Sequence, residues 1–287
     1  MVAAMDILFV GHVCVDRNVV GGQTETLYGG GVVHGAITAR RLGASAAVVT
    51  KCADADRGHF RHQADAGVRT VFLPSAASTS IRNVYPGANP DERQSLLISR
   101  ADPFREDDLE RIAEVGAAVV HLNPLWFGEF PVALVPALRR LSPFFAADAQ
   151  GFLRVGGSDG RMVHRDLEDK REVLPLLDLF KVDAKEAELL TGEDDPERAA
   201  RAVHALGPRL VLLTHQGGVC VCDGPSVYRA AFTGWTLEGR TGRGDTCTAS
   251  FLAGRGRGMG LAEATAFAAV VTSEKMRYRG PYRGPAS

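Results

Sequence analysis

Over most of the chain, short apolar runs rich in β-branched residues alternate with stretches whose apolar positions return every three to four residues. The runs Ile7–Val10, Ala46–Thr50, Thr70–Leu73, Ala118–Leu122, Phe144–Ala147, Leu179–Val182 and Leu210–Thr214 are predicted strands. Helical periodicity falls around Val33–Leu42, Gly58–Ala66, Glu106–Val115, Val132–Leu141, Ala184–Leu190 and Pro196–Leu206. Strands that alternate with helices have to run parallel, with helices covering both faces of the sheet. The predicted fold class is therefore α/β, with a doubly wound, mostly parallel sheet. Gly192 marks a helix end, and Asp194-Asp195-Pro196 marks the start of the next helix.

Two stretches break this rhythm. Val19–Tyr28 and Thr79–Ser99 are richer in β-formers and turn residues, with no helical period between them. Thr79–Tyr85 and Gln94–Ser99 are expected to pair antiparallel across the turn-forming PGANPDE. Together these stretches form a small β-sheet lid over one edge of the main sheet, from segments at about 17–29 and 76–100 of a single domain spanning 1–287. A pair of long surface loops is the alternative reading.

Composition narrows the class without naming a chemistry. A net charge of -1 provides no overall field toward nucleic acid or an anionic membrane, so neither is an expected partner. The first residues do not resemble a signal peptide, and no apolar run reaches the roughly 20 residues needed to span a bilayer; a cytoplasmic location is expected. The five cysteines are scattered and have no CxxC spacing, which suits buried free thiols. Cys220 and Cys222 would share one strand face, but no histidine or second cysteine pair completes a metal site there.

The segment Thr241-Gly242-Arg243-Gly244-Asp245-Thr246 carries the most chemical information. Two glycines around one residue let consecutive N–H groups converge, and the helix that follows aims its positive end at the same point. That makes an anion hole, at whose lip Asp245 could accept a proton from an attacking hydroxyl. By itself Gly-x-Gly-Asp also describes a turn with a helix-capping aspartate. His164-Arg165-Asp166-Leu167 imitates a protein-kinase catalytic loop, but its other parts are missing. No Gly-Lys-Ser/Thr occurs, which excludes a Walker A loop. The first strand is followed by Gly11-His12-Val13-Cys14, so a dinucleotide fingerprint is excluded as well.

In its order of motifs, the chain resembles the ribokinase-like (phosphofructokinase B type) carbohydrate kinases, including the branch that contains inositol kinases. The Gly242–Asp245 segment is similar to the second signature of that family, with Arg243 where alanine is usual. Gly29-Gly30-Gly31-Val32-Val33-His34, running on to Arg41-Leu42-Gly43, resembles the first signature. Lys181-Val182-Asp183-Ala184-Lys185-Glu186 resembles its Asn-x-x-Glu motif, with Asp183 replacing the asparagine.

The resemblance implies an ATP-dependent kinase that phosphorylates a hydroxyl of a sugar, a polyol such as inositol, or a nucleoside. Catalysis would rest on Asp245 as general base with Gly242, Arg243 and Gly244 around the phosphoryl group. Asp16, Gly29, Gly30 and His34 would bind the acceptor, and Asp183, Thr214 and Gly217 the nucleotide. Glu186 would hold Mg²⁺ through water. The resemblance also leaves room for a homodimer through the lid. Local readings stay open beside these roles: His34 as a polar residue in a first helical turn, Asp16 as a loop aspartate, and Asp183 with Glu186 as a capping box. A non-catalytic ligand- or nucleotide-binding protein that kept the kinase fold is the alternative function.

Overall fold

The computed structural model describes residues 5–85, 94–234, 236 and 239–284. Its larger sheet has nine strands. From one edge to the other they are Val227–Ala231, Gly218–Cys222, Val211–His215, Leu179–Asp183, Phe144–Asp148, Ala117–Leu122, Met5–Val10, Ala46–Cys52 and Arg69–Pro74. The seven from Val211–His215 onward pair in parallel, and the first two add an antiparallel edge.

All seven predicted strands are present, because each presents apolar side chains to both faces. In Met5–Val10, for example, Ile7 and Phe9 enter one core while Leu8 and Val10 enter the other. The helices Gly31–Arg41, Arg243–Gly256 and Leu261–Lys275 cover the Phe9 face. Ala184–Thr191 and Pro196–His204 lie on the opposite face. The five cysteines are free and buried, and Cys220 and Cys222 share one face as expected.

The smaller sheet is ordered Gln23–Gly29, Cys14–Val20, Thr79–Tyr85, Gln94–Ser99. Its outer pairs are antiparallel, whereas Cys14–Val20 runs parallel to Thr79–Tyr85. The expected pairing of Thr79–Tyr85 with Gln94–Ser99 is present, and the PGANPDE turn lies outside the described residues. The sheet begins at Cys14, earlier than expected, which corrects the reading of Asp16 as a loop residue. Asp16 sits within a strand, opposite Leu27 and Ile81.

Three predicted helices are broken into a 3₁₀ turn and a short α segment: Asp54–Phe60 with His62–Asp65, Glu106–Asp108 with Leu109–Ala113, and Val132–Leu134 with Val135–Arg139. Pro136, in the first turn of the last of these α segments, explains one of the breaks, because it has no N–H for a continuous α-helix from Val132.

The chain starts on Met5–Val10, winds outward to Arg69–Pro74, then returns to Ala117–Leu122 on the other side of the first strand. The winding direction therefore reverses between these two strands, and ligands of such sheets bind beyond the carboxyl ends at that point. The small sheet is rooted beside it. His12 faces Thr79 Oγ1 at 2.9 Å and the Asp102 carbonyl at 3.1 Å, and its backbone N–H donates to Glu129 Oε1 at 2.6 Å. Glu129 also accepts from the N–H of Leu125. One buried His–Glu pair thus ties each crossing between the sheets to the loop after Ala117–Leu122. Burial lowers the His12 pKa to about 3 and raises that of Glu129 to about 8.

Candidate active site

Asp245 stands in the first turn of the helix Arg243–Gly256, whose N-cap Gly242 has φ +80°, a left-handed value that favours glycine. No side chain caps this end among the described residues; the Arg243 N–H donates to the Arg240 carbonyl at 3.1 Å, which leaves the N–H groups of Gly244 and Asp245 for an anion. Asn123, which directly follows Ala117–Leu122, donates from Nδ2 to Asp245 Oδ1 at 3.1 Å. Its own N–H bonds to the Val10 carbonyl, which fixes Asn123 at the reversal point. Gly31 closes the group: a Cβ there would come 1.7 Å from Asn123 Oδ1 and 2.6 Å from Asp245 Oδ1. The first glycine cluster is therefore required, at least at Gly31, for the approach of Asn123 and Asp245.

Gly30 caps the helix Gly31–Arg41 at φ +111°, with the backbone of His12 and Cys14 against it. Gly29 ends the strand paired with Cys14. His34 is buried between Gly29 and Gly242, and a Cβ on Gly242 would meet its Nδ1 at 2.4 Å. Burial, followed by the neighbouring Lys275 charge, lowers its pKa to about 3, so the ring is neutral. His34 thus joins the two glycine segments beneath the surface.

Beside Gly244 lies a buried charged group that sequence reading had left without a role for its centre, Lys181. Lys181 Nζ is 3.2 Å from Asp148 Oδ2 and 3.9 Å from Glu186 Oε2. A Cβ on Gly244 would touch Lys181 at 2.9 Å. Burial opposes its charge, but the carboxylates of Asp148, Glu186, Asp183 and Asp245 outweigh burial and keep it protonated. Asp183 and Glu186 form the expected capping box, with bonds of 2.9 and 2.7 Å. Burial, with the Asp183 charge next, lifts Glu186 to about 8.

Arg243 lies near Arg240, Asp183 and His215: burial first and Arg240 next depress its pKa, while Asp183 opposes them. Thr214 is buried opposite Asp183. Gly217 sits in the exposed two-residue turn between Val211–His215 and Gly218–Cys222.

On the face of the small sheet that carries Cys14 and Ile81 against Leu125 and Trp126, the next positions are Asp16, Asn18, Asn83 and Ser95. Asn83 donates to Asn18 Oδ1 at 3.0 Å and accepts from Ser95 Oγ at 2.8 Å. Arg154 is close enough to Cys14 to act on it together with Asp16. Arg82 is exposed on the opposite face, between the buried Ile81 and Asn83.

A doubly wound sheet with a small β-sheet over its reversal point, and a Gly-x-Gly-Asp helix start aimed at the same point, defines a ribokinase-like fold. The pfkB family carbohydrate kinase model matches residues 6–286, and the chain belongs to that family. It is a phosphotransferase with an alcohol group as acceptor. Two similar solved structures are of pyrophosphate-dependent kinases in the ribokinase family. A sulfate complex is 52% identical, with TM-score 0.91, covering 96% of this chain and 97% of the other. A complex with a pyrophosphate analog and myo-inositol is 51% identical, with TM-score 0.90 and the same coverage. The cytidine kinase of Thermococcus kodakarensis is 26% identical over 90% of this chain and 91% of its own.

Asn123, Lys181 and Lys275 went unassigned in the sequence reading. The position of Asn123 just past a strand end was its one available signal.

Proposed function

We propose that this protein transfers a phosphoryl group from inorganic pyrophosphate to a hydroxyl of myo-inositol or a closely related neutral polyol. The observation that carries this reading is the cationic set around the start of the Arg243–Gly256 helix. Arg243 lies beside both Arg240 and His215, and Lys181 sits beside Gly244. Pyrophosphate has no nucleoside through which to bind, so its affinity has to come from charge and from N–H donors. The half-identical pyrophosphate-dependent kinases support this donor, and the myo-inositol complex supports the acceptor.

The acceptor hydroxyl would lie between the small sheet and Asp245. Asp245 would take its proton as transfer proceeds in line, with Asn123 orienting the carboxylate and Gly242–Gly244 holding the phosphoryl oxygens. Asp16 would accept hydrogen bonds from ring hydroxyls beside Gly29 and Gly30. With Asp16 and Arg154 both near Cys14, the charges at this end roughly cancel, which favours an uncharged acceptor. Asp148 is taken up by Lys181, Asp183 and Glu186 by their capping box, and no group of three His, Cys, Asp or Glu that could hold a metal occurs among the described residues, so Mg²⁺ would be held beside Glu186 only through water. Bound there, the ion would neutralise charge on the donor oxygens.

ATP is the second reading, favoured by the family resemblance and by the cytidine kinase relative. Asp183, Thr214 and Gly217 would then border the nucleotide. Incubating the protein and Mg²⁺ with pyrophosphate or ATP, against neutral polyols, sugars, nucleosides, sugar phosphates and sugar acids, separates these readings by ³¹P NMR of the products. Turnover of myo-inositol with pyrophosphate is expected. Turnover with ATP alone transfers the donor role to ATP, and turnover confined to anionic acceptors overturns the neutral-acceptor reading.

A further inference from the structure

Lys275 ends the helix Leu261–Lys275 and is wholly buried. Its ammonium donates to the carbonyl oxygens of Gly239, at 2.5 Å, and of Thr241. No carboxylate lies within salt-bridge distance of it among the described residues; Asp245 acts on it from farther away. A buried ammonium costs several kcal/mol even after relaxation, and an apolar side chain would fill the same space without that cost. Stability therefore gives no reason for a lysine here. Its position does, because the two carbonyls it holds directly precede Gly242–Gly244.

We propose that Lys275 is a positioning residue, the resident cation of the anion-binding loop. Peptide units are trans throughout the described chain, so a carbonyl drawn one way turns the next N–H the other way. With the Thr241 carbonyl held by Lys275, the Gly242 N–H faces away from Lys275. The Gly239 carbonyl fixes Arg240 N–H in the same manner, and Arg240 lies beside Arg243. The ammonium thus sets the loop's donors before any ligand arrives, and it adds a poorly hydrated positive charge near Asp245. An enzyme with its own cation in this cage has no need of a soluble monovalent one.

This inference rests on the phosphotransfer reading above, and the test separates the two. Wild-type protein is assayed in tetramethylammonium salts, with and without added K⁺ or NH₄⁺, and no change in rate is expected. The variants needed are Lys275→Ala and Lys275→Met.

In the absence of added cation, Lys275→Ala should lose about 10- to 100-fold in kcat/KM for the donor, the range seen when a group that orients a bound ligand is removed. The acceptor KM should hardly move. NH₄⁺ or K⁺ should restore part of that loss, because truncation leaves two bare carbonyls and room for an ion. Lys275→Met should show the same loss without rescue, because its side chain fills the space and carries no charge. Several-fold activation of the wild type by K⁺ would overturn the proposal, and that arm decides the matter even if both variants fail to fold. A folded Lys275→Ala with unchanged donor kinetics overturns it too. Absence of turnover by the wild type with both pyrophosphate and ATP counts against the proposed function instead. Calorimetry of pyrophosphate binding to wild type and variants then reads the loop directly, with weaker binding to Lys275→Ala expected and equal binding overturning the inference.

Discussion

On one side of Asp245 stand anchored cations: Lys181 held by the carboxylates of Asp148 and Glu186, Lys275 by backbone carbonyls, and Arg243 beside Arg240 and His215. On the other, across the small sheet, they are a carboxylate, two amides and a hydroxyl: Asp16, Asn18, Asn83 and Ser95. Charge attracts any dense anion with little regard for its shape, whereas amides and hydroxyls discriminate by direction and leave unpaired groups when the wrong ligand enters. The difference suggests a donor recognised by charge and an acceptor recognised by the geometry of its hydroxyls. Asp245 and Asn123 stand where the two meet.

The largest effect is expected at that meeting point. Asp245→Asn keeps the shape but removes the proposed base, and should lower kcat by about 10²–10⁴-fold while pyrophosphate binding, read by calorimetry, persists. A variant that turns over within a few-fold of wild type would remove Asp245 from the mechanism.

Gly31→Ala tests the same junction sterically. Gly31 is buried, so a methyl group 1.7 Å from Asn123 Oδ1 should also cost about 1–3 kcal/mol of stability, and kcat is read on protein shown to be folded. The new methyl group displaces Asn123 and Asp245, and misplacement of about 1 Å can cost about 10²-fold in rate. Unchanged kcat in that variant would mean that the Asn123–Asp245 contact is dispensable.

Two further substitutions divide the sides. Arg243→Met should raise the donor KM by about 10²-fold and leave the acceptor KM alone. Asp16→Ala should raise the acceptor KM by about 10- to 100-fold, from the loss of charged hydrogen bonds, and leave the donor KM alone. If either variant moves both constants equally, steady-state kinetics will have erased the distinction between the sides.

The smallest effect belongs to Glu186→Gln. The capping box survives in part, so stability should fall by no more than about 1 kcal/mol in denaturant titration. The Mg²⁺ concentration for half-maximal rate should rise, and an identical metal titration would leave Glu186 a helix cap alone.

Much of this molecule is written locally. The seven parallel strands follow from runs apolar on both faces, and Gly192 ends its helix at φ +79° because glycine tolerates that conformation. Asp195 and Asp183 start helices by accepting from the N–H groups of Arg198 and Glu186, three residues on. The Gly242–Asp245 turn is equally local, and so it was legible.

The rest depended on which distant residues the folded sheet brings together. Asn123 reaches Asp245 across 122 positions, and Lys275 reaches Thr241 from the end of another helix. Neither an asparagine after a strand nor a lysine in an alanine-rich helix announces its partner, because the contact is set by strand order and helix packing. The alternative reading of Asp16 as a loop aspartate fails for the same reason: its strand exists through pairing with Thr79–Tyr85, more than sixty residues away. The donor lay beyond local reading too. The same glycine turn serves ATP or pyrophosphate, and the charges gathered around it by the fold bear on which of the two it receives.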